Sequence, residues 1–438
     1  MLALFKNRNF RLLAIGESVS LIGDQISLLA FPWLVLKLTG SPLMMGIVFA
    51  LQGLPRAALM LMGGATVDRF SPRVVMLASN LARLVLVLIL GLMICFQAVS
   101  IGWIFLLALI FGVADAFFFP AAAAILPSLV TKDELKAGNA IIQGLAQFAL
   151  VVGPLIAGTV IATWSGQPAA QPDITLTDTP VLADRSGLAI AFFLDAATFG
   201  VSAFTLWLIK PRALHDDEEG RGFLATLKEP LIYAWRHPAM RLFFIAIAAL
   251  EIFFNAPFLI GVPVYADRYL AEGALAYGII IGAYGFGSLF GGFTAALLPT
   301  PPDRHLGRIM FMLVGYSGLT LVAILLTQST WVIAVIFFSA GLGDGFVIVH
   351  FSTWLQRATP ERLLGRVMSI LMFLAFGLLP ISEAIMGALI EWNLEAVFLG
   401  AGLTIMVICL IVASHPNARR LGDTPEGYEA EIERERAA

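Results

Sequence analysis

Gly102-Trp-Ile-Phe-Leu-Leu-Ala-Leu-Ile-Phe-Gly112-Val-Ala-Asp115-Ala-Phe-Phe-Phe-Pro-Ala-Ala-Ala-Ala-Ile125 is an uninterrupted apolar run with one charged side chain, Asp115. An α-helix needs ~20 predominantly apolar residues to cross the hydrocarbon core of a bilayer. The whole chain has the same character, with 59% hydrophobic and 13% charged residues and a mean hydropathy of +0.89. Soluble domains are about 45–50% apolar and roughly 25% charged. The composition therefore predicts an integral membrane protein.

Similar apolar stretches recur along the chain and predict an all-α membrane protein with twelve transmembrane helices. The predicted spans are 12–36, 43–67, 74–96, 102–126, 139–163, 188–209, 241–265, 274–298, 307–327, 331–355, 366–390 and 395–414. The first stretch lacks the small-residue cleavage site of a signal peptide, so we expect it to be retained as the first helix. The two cysteines, Cys95 and Cys409, both fall within predicted spans, which argues against a disulfide framework.

The basic residues are sorted by loop, and this sorting predicts the orientation of the chain. One side of the predicted bundle, called the basic side below, carries both termini and 22 of the 27 Lys and Arg residues. The opposite side carries only three, Lys37, Arg185 and Arg268. Because short cytoplasmic loops are enriched in Lys and Arg, we expect both termini in the cytoplasm. The protein would then be a multi-pass protein of the plasma (inner) membrane with an even number of spans.

Three short matches, in the same order and at a nearly constant offset, indicate an internal repeat. They pair Phe10-Arg11-Leu12 with Met240-Arg241-Leu242, Asp68-Arg69 and Arg73 with Asp303-Arg304 and Arg308, and Gly112-x-x-Asp115-x-Phe117 with Gly341-x-x-Asp344-x-Phe346. The repeat predicts a six-helix bundle in 1–209, a cytoplasmic connection in 210–238, a second six-helix bundle in 239–415 and a cytoplasmic tail in 416–438. Parallel repeats of this kind occur in transporters, with the substrate site at the interface of the halves.

Several motifs resemble one known family across nearly the whole chain. Gly64-Ala-Thr-Val-Asp68-Arg69-Phe-Ser-Pro-Arg73 resembles the loop signature G-x-x-x-D-R-x-G-R-R of the major facilitator superfamily, from which it departs at Ser71 and Pro72. Helix five carries Ala140-x8-Ala149-x3-Gly153-Pro154-x2-Ala157-Gly158, which is similar to the antiporter signature of that superfamily. Ser20-Leu-Ile-Gly-Asp24-Gln25 and Leu355-Gln356-x3-Pro360-x4-Gly365-Arg366-Val367-Met368-Ser369 resemble the macrolide and multidrug exporter branch.

The resemblance implies two pseudo-symmetric six-helix bundles around a central cavity lined by helices one, four, seven and ten. It implies a cytoplasmic gate that contains Asp68, Arg69, Arg73, Asp303, Arg304 and Arg308, with Asp68 approaching the start of helix eleven. It also implies that Gly153, Pro154 and Gly158 form an antiporter-like segment of helix five. The macrolide and multidrug exporter branch implies an activity like that of drug:proton antiporters. The resemblance does not identify the substrate.

Ten Asp, Glu, His and Arg residues lie inside the predicted spans and away from the span ends, where a charge costs at least ~2.5–3.5 kcal/mol and is a candidate for function. They are Glu17, Asp24, Arg56, Arg83, Asp115, Asp195, Glu251, Asp344, His350 and Glu383. We expect Asp24 to be the leading proton carrier, unless Arg56 holds it as a structural anchor. Glu251 is second, with Asn255 on the same helix face.

The remaining acids have competing interpretations. Glu17 lies nearer the cytoplasmic interface than Asp24, and we expect it to be structural. The repeat-related pair Asp115 and Asp344 could share a structural role, such as pairing with an arginine or holding a glycine-rich turn, although both fall on helices expected to line the cavity.

The sequence predicts no enzyme, cofactor, metal site or nucleic-acid partner. It has no G-x-x-x-x-G-K-[ST] phosphate loop, no Cys/His cluster with metal-ligand spacing and no basic stripe. The expected partners are a small amphipathic substrate, protons and membrane lipids, and we expect a monomer.

Three functions remain open at this point. The leading hypothesis is export of small amphipathic, drug-like molecules from the cytoplasm by proton antiport with alternating access. The second is a lipid or lysolipid flippase of the same fold. The third is a signalling or scaffold protein with a degenerate transporter core, against which the intact Asp68-Arg69 loop argues.

Overall fold

The protein is described by a computed structural model that covers residues 2–165, 184–210, 238–298, 301–359, 367–368, 371–372 and 374–415. Three predicted segments lie outside this part of the chain: residues 211–237 of the connection, residues 166–183 of the loop before helix six, and the tail 416–438. The predicted domain boundaries therefore stay predictions.

Twelve helices occupy the described residues. Helices α1 to α6 are Arg8–Thr39, Pro42–Arg69, Pro72–Cys95, Ile101–Ile125, Leu135–Trp164 and Arg185–Leu208. Helix α7 comprises Pro238–Leu250, a π-helical turn at Glu251–Asn255 and Ala256–Tyr269. Helices α8, α9 and α10 are Ala274–Leu297, Asp303–Ala323 and Thr330–Ala358. A second π-helical turn at Leu374–Leu378 leads into the segment Leu379–Ser414. The prediction of an all-α membrane fold is confirmed.

The segment Leu379–Ser414 contains both of the last two spans. Asn393 has a non-helical backbone within it (φ −160°, ψ 103°). The Asn393 side chain accepts a hydrogen bond from the backbone N–H of Ala396 at 2.8 Å, which is the geometry of an N-cap. The run from Phe376 to Ser414 has 39 residues, and at 1.5 Å per residue it would measure roughly 58 Å as one helix, too long for one span. Helix α11 therefore ends at Asn393, and α12 begins there.

Local sequence explains where several helices begin. Ser41 and Ser71 are the N-caps of α2 and α3, and their hydroxyls accept from the N–H groups of Met44 and Val74. Each serine precedes a proline at the first helical position, where the missing N–H costs nothing. Because α1 ends at Gly40, which has a positive φ of 66°, the chain turns back within a few residues.

Three apolar clusters describe how the helices pack. One cluster lies on the opposite side and includes residues from both halves, such as Trp33 of α1 and Tyr277 of α8. On the basic side the clusters are separate. One is built from the first half around Phe10 and Ile125, and the other from the second half around Phe243 and Met310. In the described residues, the two halves thus share a core on the opposite side and keep separate cores on the basic side.

Candidate functional site

Arg83 of α3 lies at the centre of the ionisable residues of the first half. Its Nη1 is 3.5 Å from Oδ1 of Asp24 on α1 and 3.4 Å from Oδ1 of Asp115 on α4. The Arg83 side chain is only 2% exposed. One guanidinium is therefore shared between two carboxylates from two helices. The sequence placed Arg83 among the intramembrane charges but assigned it no partner.

Hydrogen bonds and aromatic rings fix the position of Arg83. Its Nη2 donates to Oδ1 of Asn80 at 2.9 Å, and the Asn80 amide donates to Oγ of Ser202 on α6 at 2.9 Å. The guanidinium lies over the ring of Phe118 at 3.8 Å and over that of Phe199 at 4.8 Å. Arginine suits such a site because its planar group stacks on rings while donating at its edge.

The carboxylates around Arg83 differ in their exposure. The Asp24 side chain is 31% exposed, whereas that of Asp115 is 7% exposed. Glu17, two turns before Asp24, is buried, and in the described part of the chain its Oε1 has no hydrogen-bond partner. Asp195 of α6 is fully buried and accepts hydrogen bonds from Ser27 and Thr198. Asp24 is therefore the most accessible of these four acids.

One of our hypotheses paired Arg56 of α2 with Asp24. The structure does not show this pair. Nη1 of Arg56 instead lies 3.9 Å from Oδ2 of Asp115. Its guanidinium also stacks over Phe119 of α4 at 5.8 Å and over Phe376 at 5.0 Å, in the π turn that precedes α11. The hypothesis was wrong because Arg83, which enters from α3, occupies the space next to Asp24.

The second half holds its acids with neutral partners. Oε2 of Glu251 accepts from the Asn255 amide at 2.9 Å, and both residues belong to the π turn of α7. Oδ2 of Asp344 on α10 accepts from Oγ of Ser288 on α8 at 3.3 Å.

A small cavity lies beside Asp344. Its volume is about 10 Å³, and its wall includes Phe254, Val314 and Ser317. This is room for about one water molecule.

The antiporter-like residues of α5 lie where helices pack closely. A Cβ on Gly158 would come within 3.0 Å of the Cα of Gly278 on α8, and a Cβ on Gly278 would come within 2.5 Å of the carbonyl oxygen of Pro154. A Cβ on Gly153 would lie 3.0 Å from the carbonyl oxygen of Ile22 on α1. Small residues let helix backbones approach in this way. Gly158 and Pro154 thus belong to the contact between the halves, and Gly153 to the contact with α1.

Polar contacts also join the halves on the opposite side. Lys37 of α1 forms an ion pair with Asp267 of α7. Glu391 of α11 accepts hydrogen bonds from the Ser41 hydroxyl and, at 3.1 Å, from the N–H of Leu43. A carboxylate from the second half therefore adds to the capping of α2 in the first half.

The predicted gate residues on the basic side are only partly described. The side chains of Asp68, Asp303 and Arg304 lie outside the described residues, as do residues 360–366 before α11. Arg69 is exposed and stacks over Phe70. Nε of Arg73 donates to the carbonyl of Leu206 at 2.8 Å, which satisfies the end of α6 in the same half. Nε of Arg308 is buried and has no hydrogen-bond partner among the residues that the structure describes. The gate role of these residues stays a prediction.

Sequence comparisons agree with the architecture. The sequence profile described as "Major Facilitator Superfamily" matches residues 13–382. The chain is 24% identical over 425 residues to "Multidrug efflux pump Tap" of Mycolicibacterium fortuitum, which covers 91% of this chain and 93% of the relative. It is 25% identical over 421 residues to Tap of Mycobacterium tuberculosis, with 94% of each chain covered. It is 23% identical over 280 residues to "Macrolide efflux protein A" of Streptococcus pyogenes, covering 62% of this chain and 65% of that one.

Solved structures with the same fold include three transporters. A bacterial homologue of the lysosomal transporter Spinster, inward-facing and unoccupied, has a TM-score of 0.64 at 15% identity and covers 94% of this chain and 96% of that one. The nucleoside transporter NupG has a TM-score of 0.65 at 11% identity, covering 92% and 98%. An inward-facing bacterial homologue of ferroportin has a TM-score of 0.62 at 16% identity, covering 93% and 99%. The chain belongs to the Major Facilitator Superfamily and is a multi-pass membrane transporter, not an enzyme.

Proposed function

We propose that the protein exports small amphipathic molecules from the cytoplasm by proton antiport. The observation that carries the proposal is Asp24, a carboxylate at the middle of α1 that is 31% exposed beside the buried Arg83. An ionisable group in the membrane interior is costly and is usually retained for transport or proton transfer. The likeness to relatives named as multidrug and macrolide efflux proteins supports a small-molecule substrate.

The packing supports alternating access as the mechanism. The halves share an apolar core on the opposite side and have separate cores on the basic side. We propose that this is a conformation open to the cytoplasm. Opening to the other side would separate Gly158 from Gly278 and break the Lys37–Asp267 ion pair. Substrate and protons would then reach the middle of the bundle from one side at a time.

The orientation can be tested by cysteine labelling. We expect a cysteine at Gly220, in the connection between the halves, to be protected from an impermeant reagent in intact cells. A cysteine at Thr175, before α6, should react. The positive-inside rule gives this result, because Gly220 is on the basic side. Labelling of Gly220 from outside would overturn the orientation.

The function can be tested with purified protein in vesicles under an imposed pH gradient, using substrates chosen from growth inhibitors to which the protein gives resistance. We expect uphill accumulation by the wild type and its loss in Asp24→Asn, with downhill exchange retained. Glu251→Gln is the matched variant in the second half. If Asp24→Asn accumulates substrate as the wild type does, Asp24 is not the carrier, and Glu251 becomes the first residue to test.

A lipid or lysolipid flippase of the same fold would give a different result. The wild type would move a fluorescent lipid between the leaflets of the vesicle but would not protect cells from growth inhibitors. Movement of the lipid alone would therefore replace the export proposal.

A further inference from the structure

Two π-helical turns occur among the described residues, and both are in the second half. They are Glu251–Asn255 in α7 and Leu374–Leu378 before α11. By the repeat, α7 corresponds to α1 and α11 to α5. Both of those first-half helices are continuous α-helices, Arg8–Thr39 and Leu135–Trp164. The distortions are therefore a difference between otherwise equivalent bundles.

The two π turns contact each other, and the turn before α11 also contacts α2 of the first half. A π turn has hydrogen bonds from i to i+5, so it holds one residue more than an α turn, and such turns are frequent at functional sites. Each turn carries a candidate side chain. Glu251 begins the first, and the ring of Phe376 lies in the second.

Arg56 connects these turns to the acids of the first half. On one side its guanidinium approaches Asp115, at 3.9 Å. On the other side it stacks on Phe376 at 5.0 Å, and Phe376 also contacts Phe119 of α4 with ring centroids 5.6 Å apart. A change in the charge of the first-half cluster can thus reach the π turns through one side chain, with no intervening loop.

We propose that the paired π turns are the hinge at which α7 and α11 bend during transport, and that Arg56 is the positioning residue that couples this hinge to the acids around Arg83. The hinge proposal rests on the proposed function, because both require alternating access. Arg56 acts through Phe376 and Asp115 and needs no contact with substrate.

The sharpest test is deletion of a single residue, Ile252, from the π turn of α7. If the turn holds one extra residue, the deletion leaves a regular α-helix whose two ends keep their orientation. The matched control is deletion of Ile22 in the continuous helix α1, the position that corresponds to Ile252 when Phe10 is aligned with Met240. That deletion rotates part of α1 by about 100° and should prevent folding. Failure of both deletions to fold would overturn the proposal.

The hinge itself is measured by the distance between spin labels at Lys136 and Leu297, after replacement of Cys95 and Cys409 by alanine. These sites are exposed and lie at the basic ends of α5 and α8. We expect two populations of distances in the wild type and one in the Ile252 deletion. Equal distributions would overturn the hinge whether or not a substrate is known. Absence of transport by the wild type would instead count against the proposed function.

Substitution of Phe376 tests the coupling without a deletion. Phe376→Leu keeps an apolar side chain but removes the ring under Arg56, and we expect the maximal transport rate to fall about ten-fold with an unchanged half-saturating substrate concentration. Arg56→Lys should give an intermediate rate, since lysine keeps the charge but stacks poorly. The control is Phe286→Leu, at a half-exposed ring that packs on Phe338 within the second half. Equal rates for Phe376→Leu and Phe286→Leu would contradict the proposal.

Discussion

The two halves of the protein surround equivalent carboxylates with different partners. Asp115 and Asp344 occupy corresponding positions of α4 and α10, in the repeated pattern Gly-x-x-Asp-x-Phe. In the first half, Asp115 lies next to two guanidinium groups, those of Arg83 and Arg56. In the second half, Asp344 accepts from the hydroxyl of Ser288. The same acid is thus part of a charged network in one half and of a neutral network in the other.

The helix starts identify which positions correspond. Helices α2 and α8 begin at Pro42 and Ala274. Counted from these starts, Ser288 falls where the first half has Arg56. The small cavity beside Asp344 lies against α9, which corresponds to α3, the helix that carries Arg83. A short hydroxyl and a small cavity therefore replace two arginines.

This difference indicates which half depends more on charged side chains for its stability. Removing one partner of a buried ion pair leaves an uncompensated charge, whereas a hydroxyl or amide can pair with a carboxyl group in either protonation state. We therefore expect the first half to depend on its charges for stability. The second half should tolerate neutral substitutions.

The largest effect should come from Arg83→Met. This change leaves Asp24 and Asp115 without their shared counter-charge in the membrane interior, and we expect the free energy of unfolding to fall by about 3–5 kcal/mol. The measurement is the thermal or denaturant unfolding of purified protein in detergent. The exposed Arg268 serves as control, and Arg268→Gln should change little. An unchanged unfolding midpoint for Arg83→Met would show that the arginine does not stabilise the first half.

The next comparison sets Asp115→Asn against Asp344→Asn. Both replace a carboxylate by an amide of the same shape, at a buried position for Asp115 and a partly buried one for Asp344. Asp115→Asn leaves two guanidinium groups with one acid fewer, so we expect a loss of about 3 kcal/mol. Asp344→Asn keeps the Ser288 hydroxyl as a partner, and its loss should be about 1 kcal/mol. Equal losses in the same unfolding assay would mean that the halves do not differ as described.

Much of the fold could be predicted from the sequence, because hydrophobic length and charge sorting act locally along the chain. The run from Gly102 to Ile125 is long enough to span a bilayer whatever packs around it. The repeat of Gly112-x-x-Asp115 in Gly341-x-x-Asp344 pairs α4 with α10, and in the structure α4 packs on α2 as α10 packs on α8. The sequence also named Asp24 and Glu251 as candidates, since a carboxylate in a span is rare.

The partners of these residues could not be predicted, because they come from helices that are distant in sequence. Arg56 and Arg83 both fall within spans, and hydropathy alone cannot decide which one reaches Asp24. The direction of each side chain decides which arginine reaches Asp24. Arg83 enters between α1 and α4, whereas Arg56 turns toward Phe376. The π turns have no sequence signature comparable with a proline or glycine, and they were missed.

Both halves contain a glycine at which two helices pack closely. Substitution of this glycine should lower the unfolding free energy equally in the two halves. A Cβ on Gly112 would come within 2.8 Å of the backbone carbon of Gln52, and one on Gly341 within 2.9 Å of that of Tyr284. Because backbone atoms cannot move aside, Gly112→Ala and Gly341→Ala should each lower the unfolding free energy by about 1–3 kcal/mol. Gly144→Ala and Gly400→Ala are controls in open positions, where an added Cβ would meet no atom of another described helix or loop within 4 Å. Unequal losses would indicate that the halves also differ in backbone packing.

The smallest effect should come from Ser288→Ala, which removes the hydroxyl that donates to Asp344 at 3.3 Å. A neutral hydrogen bond contributes about 0.5–1.5 kcal/mol. The corresponding change in the first half is Arg56→Ala, for which we expect a loss of about 1.5–3 kcal/mol because the partner is charged. Ser339→Ala, which removes an exposed contact with Tyr316, controls for the substitution itself. If Ser288→Ala costs as much as Arg56→Ala, Asp344 depends on its hydroxyl partner as strongly as Asp115 depends on its arginines. The neutral network would then contribute as much to stability as the charged one, and the two halves would not differ in how much they depend on the partners of their acids.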